Sequence, residues 1–455
     1  MTDHFVPDIV FGLDPMWVSV MVLTVTYAAI IAGRVNRAVV AMIGAAFLVV
    51  IGALDQDEAI RGIDWDTIGL LAGMMILVSI SRRSGLFQYL AIWSAQQVRA
   101  SPAGILLMLQ IITAVLSAAL NNVGTVILIV PTTLAIAEEL DLPPFPFLLA
   151  EIFAANIGGT ATLIGDPPNI LIGSQAGLDF NAFLVNVAPI IVVVMIVQAI
   201  LVHLVWGRTL RASVARRALV MGMDAPKMIT DRLLLHRSIV VMATVLFAFL
   251  FARRLHLQPA TIALAGAVAL MLLDGWKHPN VKQTDGAHKD GARMDGAHTA
   301  FADVDWTTIF FFIGLFVVVH AVEVSGTLGL FADRLVALTG YNSAAAGAAI
   351  LWISAALSAI IDNVPFVVAM IPLIKSMAPT YGAPVYIEPL WWCLSLGACL
   401  GGNATLTGAS ANLAVAGIAE RHGIRFGFLQ YLRYGVPMTL VSIAICQVYV
   451  WLRYF

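Results

Sequence analysis

Asn121 to Pro131 reads NNVGTVILIVP, and Asp362 to Pro372 reads DNVPFVVAMIP. In each, two polar residues lead into an apolar run that closes on proline, and the second copy follows the first by 241 positions. The same spacing relates Ile63–Gly85 (IDWDTIGLLAGMMILVSISRRSG) to Val304–Gly326 (VDWTTIFFFIGLFVVVHAVEVSG). Further on, Gly158–Asn169 (GGTATLIGDPPN) and Gly401–Asn412 (GGNATLTGASAN) match at an offset of 243. Three paired landmarks hold one register over about 110 residues, broken only by a two-residue insertion, and so mark an internal duplication. Chance likeness between apolar segments does not produce a shared register.

The chain around these landmarks is greasy. Of 455 residues 60% are hydrophobic and 11% charged, with mean hydropathy +0.92. Long apolar stretches divided by short polar ones identify an all-α polytopic membrane protein. Met1 to Asp14 carries acids and no basic leader, so the first span is expected to be retained. Formal net charge is −2 and no basic stripe points to nucleic acid. Cys393, Cys399 and Cys446 show neither metal-ligand spacing nor a disulfide framework. No phosphate-binding GxxxxGK[ST] stretch occurs, so the expectation is a secondary transporter or channel, not an enzyme, with no cofactor and no metal.

Ten apolar segments reach spanning length: 16–33, 38–54, 65–81, 145–174, 183–206, 238–253, 257–274, 306–322, 386–418 and 434–452. Two further apolar pairs, 103–138 and 343–378, turn at the quoted motifs. The expected architecture is about ten transmembrane helices in two inverted five-helix repeats, each with a re-entrant hairpin and a glycine-broken helix. Residues 1–207 form the first repeat (hairpin 103–138, broken helix 145–174). Residues 238–455 form the second (hairpin 343–378, broken helix 386–418), and a basic linker, 208–237, joins them. Residues 275–303 contain DGAHKDGARMDGAH; Gly-Ala dominance there predicts a flexible solvated loop rather than a metal site.

Charge tests the inversion. With five spans per repeat and hairpins that return to their own side, Arg34, Arg37, Arg82, Arg83, Arg99, the seven basic residues of 208–237, Lys277, Lys282, Lys289, Arg293, Arg421, Arg425 and Arg433 share a face. That is nineteen of the twenty-five Lys and Arg, so that face is expected to be cytoplasmic and the N-terminus outside. An odd number of spans makes the repeats antiparallel. The parity is the same for a re-entrant hairpin and for two full spans.

The polar residues then need a purpose. A buried amide without partners costs a few kcal/mol in hydrocarbon, so Asn121 and Asn122 must face protein, water or a solute. Gly124 keeps the turn open and Thr125 adds a hydroxyl. Asp362-Asn363, followed by Pro365, repeats the arrangement with an ionisable group added. Gly158, Gly159, Thr160 and Thr162, and Gly401, Gly402, Asn403 and Thr405, interrupt spanning segments; discontinuous helices in corresponding positions point to a transport site. Polar glue and glycine-mediated packing between helices are the competing readings. Asp166 follows the first break in GDPPN, whereas the second copy has Ala409 there. Asp166 and Asp362 are therefore the expected coupling sites. Glu151, His320 and Glu323 read as scaffold partners and Cys399 as a packing residue. Few fixed positive charges are expected near the site.

ANIGGTATLIGDPPNILIGS (Ala155–Ser174) together with LNNVGTVILIVP resembles the arsenical-resistance permease and NhaD-type antiporter group of the ion transporter superfamily, nearest its P-protein-like branch, over about Asp64 to Gly417. The resemblance implies re-entrant hairpins, a scaffold and a moving transport domain, elevator-type alternating access and a homodimer. It maps the first hairpin tip onto Ser117, Asn121, Asn122 and Thr125, and the second onto Ser358, Asp362 and Asn363. It maps the broken helices onto Gly158–Thr162 and Gly401–Thr405; Asn169 and Asn412 close the matched runs. The expected function is export of arsenite and antimonite across the inner membrane in exchange for protons. A sodium/proton antiporter and an anion transporter or channel are the alternatives. A cytoplasmic ATPase subunit is a further conceivable partner for which the sequence offers no positive signal.

Overall fold

The computed structural model describes Ile9 and residues 12–275, 298–339, 342–381 and 387–455. Most of the 275–303 loop, including DGAHKDGARMDGAH up to residue 297, Lys277, Lys282, Lys289 and Arg293, lies outside the described residues. Among those described there are helices and turns but no strand. Apolar runs of this length demand that, because in hydrocarbon each backbone N–H and C=O must be satisfied within its own segment. Nine described helices are long and apolar enough to cross a membrane, or ten if one bent pair counts as a span. The chain is a multi-pass membrane protein.

Both expected hairpins form: Pro102–Ala119 turns into Asn122–Leu140, and Ser343–Ser358 turns into Asn363–Tyr381. Both long segments break. Phe145–Thr160 gives way to Pro167–Ala176, and Glu388–Gly401 to Ser410–Arg421. In the first half Gly158 and Gly159 are still helical and the chain leaves the helix after Thr160, whereas in the second the helix ends at Gly401 with Gly402 as its C-cap. Their task is close approach. A Cβ at Gly158 would run into the carbonyl oxygen of Ala114, and one at Gly401 would stand 2.6 Å from Ala355 Cα. A Cβ at Gly159 or Gly402 would meet the backbone of Gly165 or Gly408 at 2.7 or 2.8 Å. Hairpin and broken helix are thus pressed backbone to backbone in both halves, so the packing reading of these glycines holds as well.

Contacts between the halves are reciprocal. Gly73 of Trp65–Arg82 seats against Ala263 and Leu264 of Pro259–Gly275, and Gly314 of Trp306–Val324 seats against Ala41 and Met42 of Arg37–Val50. Gly73 and Gly314 are repeat mates. Each half therefore presents the same helix to the other's equivalent helix, the self-complementary pattern of a two-fold.

A repeat-related pair of helices lies outside the expected segments, Leu86–Gln97 and Thr327–Leu338, again 241 apart. At twelve residues each they fall short of spanning length. The linker is also structured. Val214–Met221 is helical, and the segment docks through Arg217 onto the Arg99 carbonyl (2.7 Å) and Gln96 onto the Met223 carbonyl (2.7 Å). Arg232 and Arg237 belong to the long helix Arg232–Leu255.

Candidate functional site

Asp166 stands at the head of Pro167–Ala176 and is fully buried. Its carboxylate does not cap its own helix: the two prolines behind it have no N–H to give, and the Asn169 N–H bonds the Asp166 main-chain carbonyl. It turns instead to the hairpin tips of both halves. Asn122 Nδ2 donates to Asp166 Oδ1 at 3.1 Å, and Asn363 Nδ2 donates to its two oxygens at 3.4 and 3.3 Å. Asn122 Oδ1 accepts from the N–H of Val123, which fixes the amide with its NH2 group toward the acid.

The chain of amides continues inward. Asn122 also donates to Asn156 Oδ1 (3.3 Å), and Asn156 donates to Asn403 Oδ1 and Asn412 Oδ1, both at 2.8 Å. Asn412 Nδ2 then holds the carbonyls of Gly402 and Thr405 across the second break (2.8 and 2.9 Å). Asn169 does the same in the first, holding the Thr160 and Thr162 carbonyls at 2.9 Å. Its oxygen accepts from Ser395 (2.7 Å) and from the thiol of Cys399 (3.5 Å). Asn156 and Cys399 are repeat mates, as are Asn412 and Asn169, so these cross-half bonds obey the two-fold too. Buried amides this well satisfied cost little and fix one arrangement.

The hydroxyls have a different role. Ser117 donates to the Ala155 carbonyl and its mate Ser358 to Ala398, both at 2.6 Å; Thr162 donates to Ala118 and Thr405 to Ala359 at 2.6 and 2.5 Å. Thr125 and Thr160 bond within their own helices. These six expected site hydroxyls tie hairpin to broken helix or cap carbonyls. Asn121, by contrast, caps Asn122–Leu140 and lines the cavity.

That cavity, of about 230 Å³, reaches Asp166, Asn121, Asn122, Asn363, Ser410, Thr308 and Arg37, with Met75, Phe311 and Phe312 among its apolar walls. Arg82, Ser79, Asp303 and Asp305 complete its polar lining. Asp362 is not joined to the amide chain. Its Oδ2 accepts from Arg37 Nη1 at 2.7 Å and from Ser410 Oγ at 2.8 Å. Arg82 pairs with Asp303 at 3.0 Å. The expectation of few fixed positive charges near the site is therefore corrected: two arginines line the cavity, each matched by a carboxylate. Arg37 opens an apolar helix, and helical side chains lean toward the N-terminus, so its guanidinium reaches back to the second hairpin tip.

Glu151 is buried and accepts from Thr133 Oγ1 at 2.5 Å, while His320 lies between Glu58 and Glu323 at 3.4 and 3.5 Å. Both clusters brace helices away from the cavity. Beyond the expected residues the site recruits Asn156, Ser395, Ser410 and Arg37. The signal for Asn156 was its neutral mate Cys399, a polar residue that the repeat does not require.

A carboxylate buried at the junction of two helical repeats faces a cavity with polar groups set in mainly apolar walls, an arrangement that suits a membrane transporter. A family model described as "Citrate transporter" (CitMHS) matches residues 27–397, and the chain belongs to this family. Two uncharacterized transporters of Mycobacterium tuberculosis are each 40% identical to it, over 96% of this chain and 98 or 99% of theirs. The P protein of Homo sapiens is 32% identical over 95% of this chain, which spans 59% of that protein. The crystal structure of the Alcanivorax borkumensis YdaH transporter superposes with TM-score 0.59 at 13% identity, covering 96% of this chain and 98% of that one.

Proposed function

We propose that the protein is a proton-coupled secondary transporter that exports a small neutral oxyacid, arsenite or antimonite, with Asp166 as the coupling carboxylate. The observation that carries this reading is the setting of Asp166: fully buried, and held by one amide from each hairpin tip. A lone carboxylate in such a place takes up a proton or a cation readily. Movement of either tip changes its partners, which is the requirement for coupling. The cavity's arginines are both neutralised by acids of the chain itself, while Asp166 and Asp305 add negative charge. That balance favours a neutral solute with hydroxyls for the Asn and Ser groups over a multiply charged carboxylate such as the one in the family's description. It equally supports a sodium/proton antiporter in which the same oxygens hold the cation. The remaining parts of the proposal are an inner-membrane protein, cytoplasmic at 208–237, dimeric, and moving its hairpins and broken helices as an elevator.

Everted vesicles test this. Arsenite accumulation that collapses with a protonophore and ignores sodium is the expected result. Citrate uptake without arsenite uptake, or sodium-driven proton movement alone, refutes the arsenite reading. A conductance that persists in Asp166→Asn refutes coupling through that acid.

A further inference from the structure

We infer that Arg37 is a positioning residue of the transport site and Asp362 its counter-charge, so that the neutral pair, and neither charge alone, fixes the second hairpin tip. This rests on the reading that the tip forms part of the transport site.

The guanidinium lies where helix N-termini converge. Asp362 directly precedes Asn363–Tyr381, Ser410 opens Ser410–Arg421, Thr308 sits in the first turn of Trp306–Val324, and Arg37 opens its own helix. Nη1 donates to Asp362 (2.7 Å) and Ser410 (3.0 Å), and Nη2 donates to Thr308 (3.2 Å). The ring of Phe311 lies 5.0 Å below. Helix N-termini carry unpaired N–H groups and partial positive charge, so a cation is disfavoured among them. A carboxylate must accompany it. Asp305 also lines the cavity and accepts from Thr308 Oγ1 at 2.6 Å; Asp362 is the acid that pairs directly with Arg37. A second bond, from the Tyr27 hydroxyl to the Pro365 carbonyl at 2.6 Å, ties the same tip to Pro15–Ala32, the helix that precedes Arg37–Val50.

The repeat itself provides the control. The reciprocal glycine seats align Ala41 with Ala263, which puts Pro259 at the mate of Arg37. Phe249 or Leu250, neither with a hydroxyl, takes the place of Tyr27, and Asn121 that of Asp362. Among the described residues the first tip thus forms its hairpin with no ion pair and no tyrosine tie. The device is not a requirement of the fold; it belongs to one tip only. Asp362 is accordingly Arg37's partner and not a second proton carrier.

Three variants of the full-length protein decide this: Arg37→Gln, Asp362→Asn and the double variant, each assayed in everted vesicles with arsenite. Asp362→Asn strands the guanidinium and is expected to lower flux about tenfold or more. The double variant is expected to recover to within about threefold of Arg37→Gln, with the wild-type number of protons moved per solute. A double variant as inactive as Asp362→Asn, or one that moves solute without protons, overturns the inference and makes Asp362 a coupling group. Melting of the detergent-solubilised proteins gives a solute-independent reading. If wild type moves no arsenite, the proposed function has failed while the pair is still judged: a double variant melting above Asp362→Asn supports it, and one melting at or below it refutes it.

Discussion

The two hairpin tips are copies of one design and differ in charge. At the first, Asn121 caps its helix with an amide and Asn122 reaches Asp166; at the second, Asn363 reaches the same acid while Asp362 is bound to Arg37. The acid after the break occurs once, at Asp166, where the second half has Ala409. The serine and threonine ties to the broken helices, in contrast, recur almost atom for atom. Backbone geometry has stayed symmetric and electrostatics has not. A duplicated scaffold needs the same glue twice, but a coupled cycle needs only one place for the moving charge.

This division can be broken by experiment. Asp166→Asn should have the largest effect on flux, a loss of roughly 100-fold in coupled uptake, because it removes the ionisable group between the tips; uptake near wild type would shift coupling elsewhere. Gly158→Ala and Gly401→Ala should both destabilise the protein, by about 1–3 kcal/mol or more, as seen in detergent melting. Markedly unequal losses would show that the halves are not packed alike. Asn156→Ala leaves Asn403 and Asn412 without a donor and should cost about 1–3 kcal/mol, whereas Cys399→Ala, whose acceptor keeps Ser395, should stay within about 0.5 kcal/mol. Ser117→Ala and Ser358→Ala should cost the same, about 1 kcal/mol each, with flux retained.

The sequence made the architecture readable because duplication supplied an internal alignment. Paired motifs at 241 and 243 located both hairpins and both breaks, and Asp166, Asn122 and Asn363 were singled out because polar groups in hydrocarbon demand a purpose. What stayed hidden depended on side-chain direction or on distance in the chain. Arg37 reads as one more positive charge at a helix end, and only the fold brings it to Asp362, 325 residues on. The hydroxyls of Ser117, Thr125 and Thr162 could serve a solute or a carbonyl, and the sequence holds no trace of which. The short helices Leu86–Gln97 and Thr327–Leu338 fall below the length that hydropathy detects.

The reciprocal glycine seats carry a consequence for biosynthesis. Trp65–Arg82 has its partner helix in the second half, nearly two hundred residues later, and Arg37–Val50 waits longer still for Trp306–Val324. Neither half can complete its packing while the other is still on the ribosome. The first repeat must therefore wait in the bilayer as an unfinished assembly, with Gly73 unfilled, until the second is inserted. Two fragments cut within 208–237 and made together should find each other, while either made alone should be degraded.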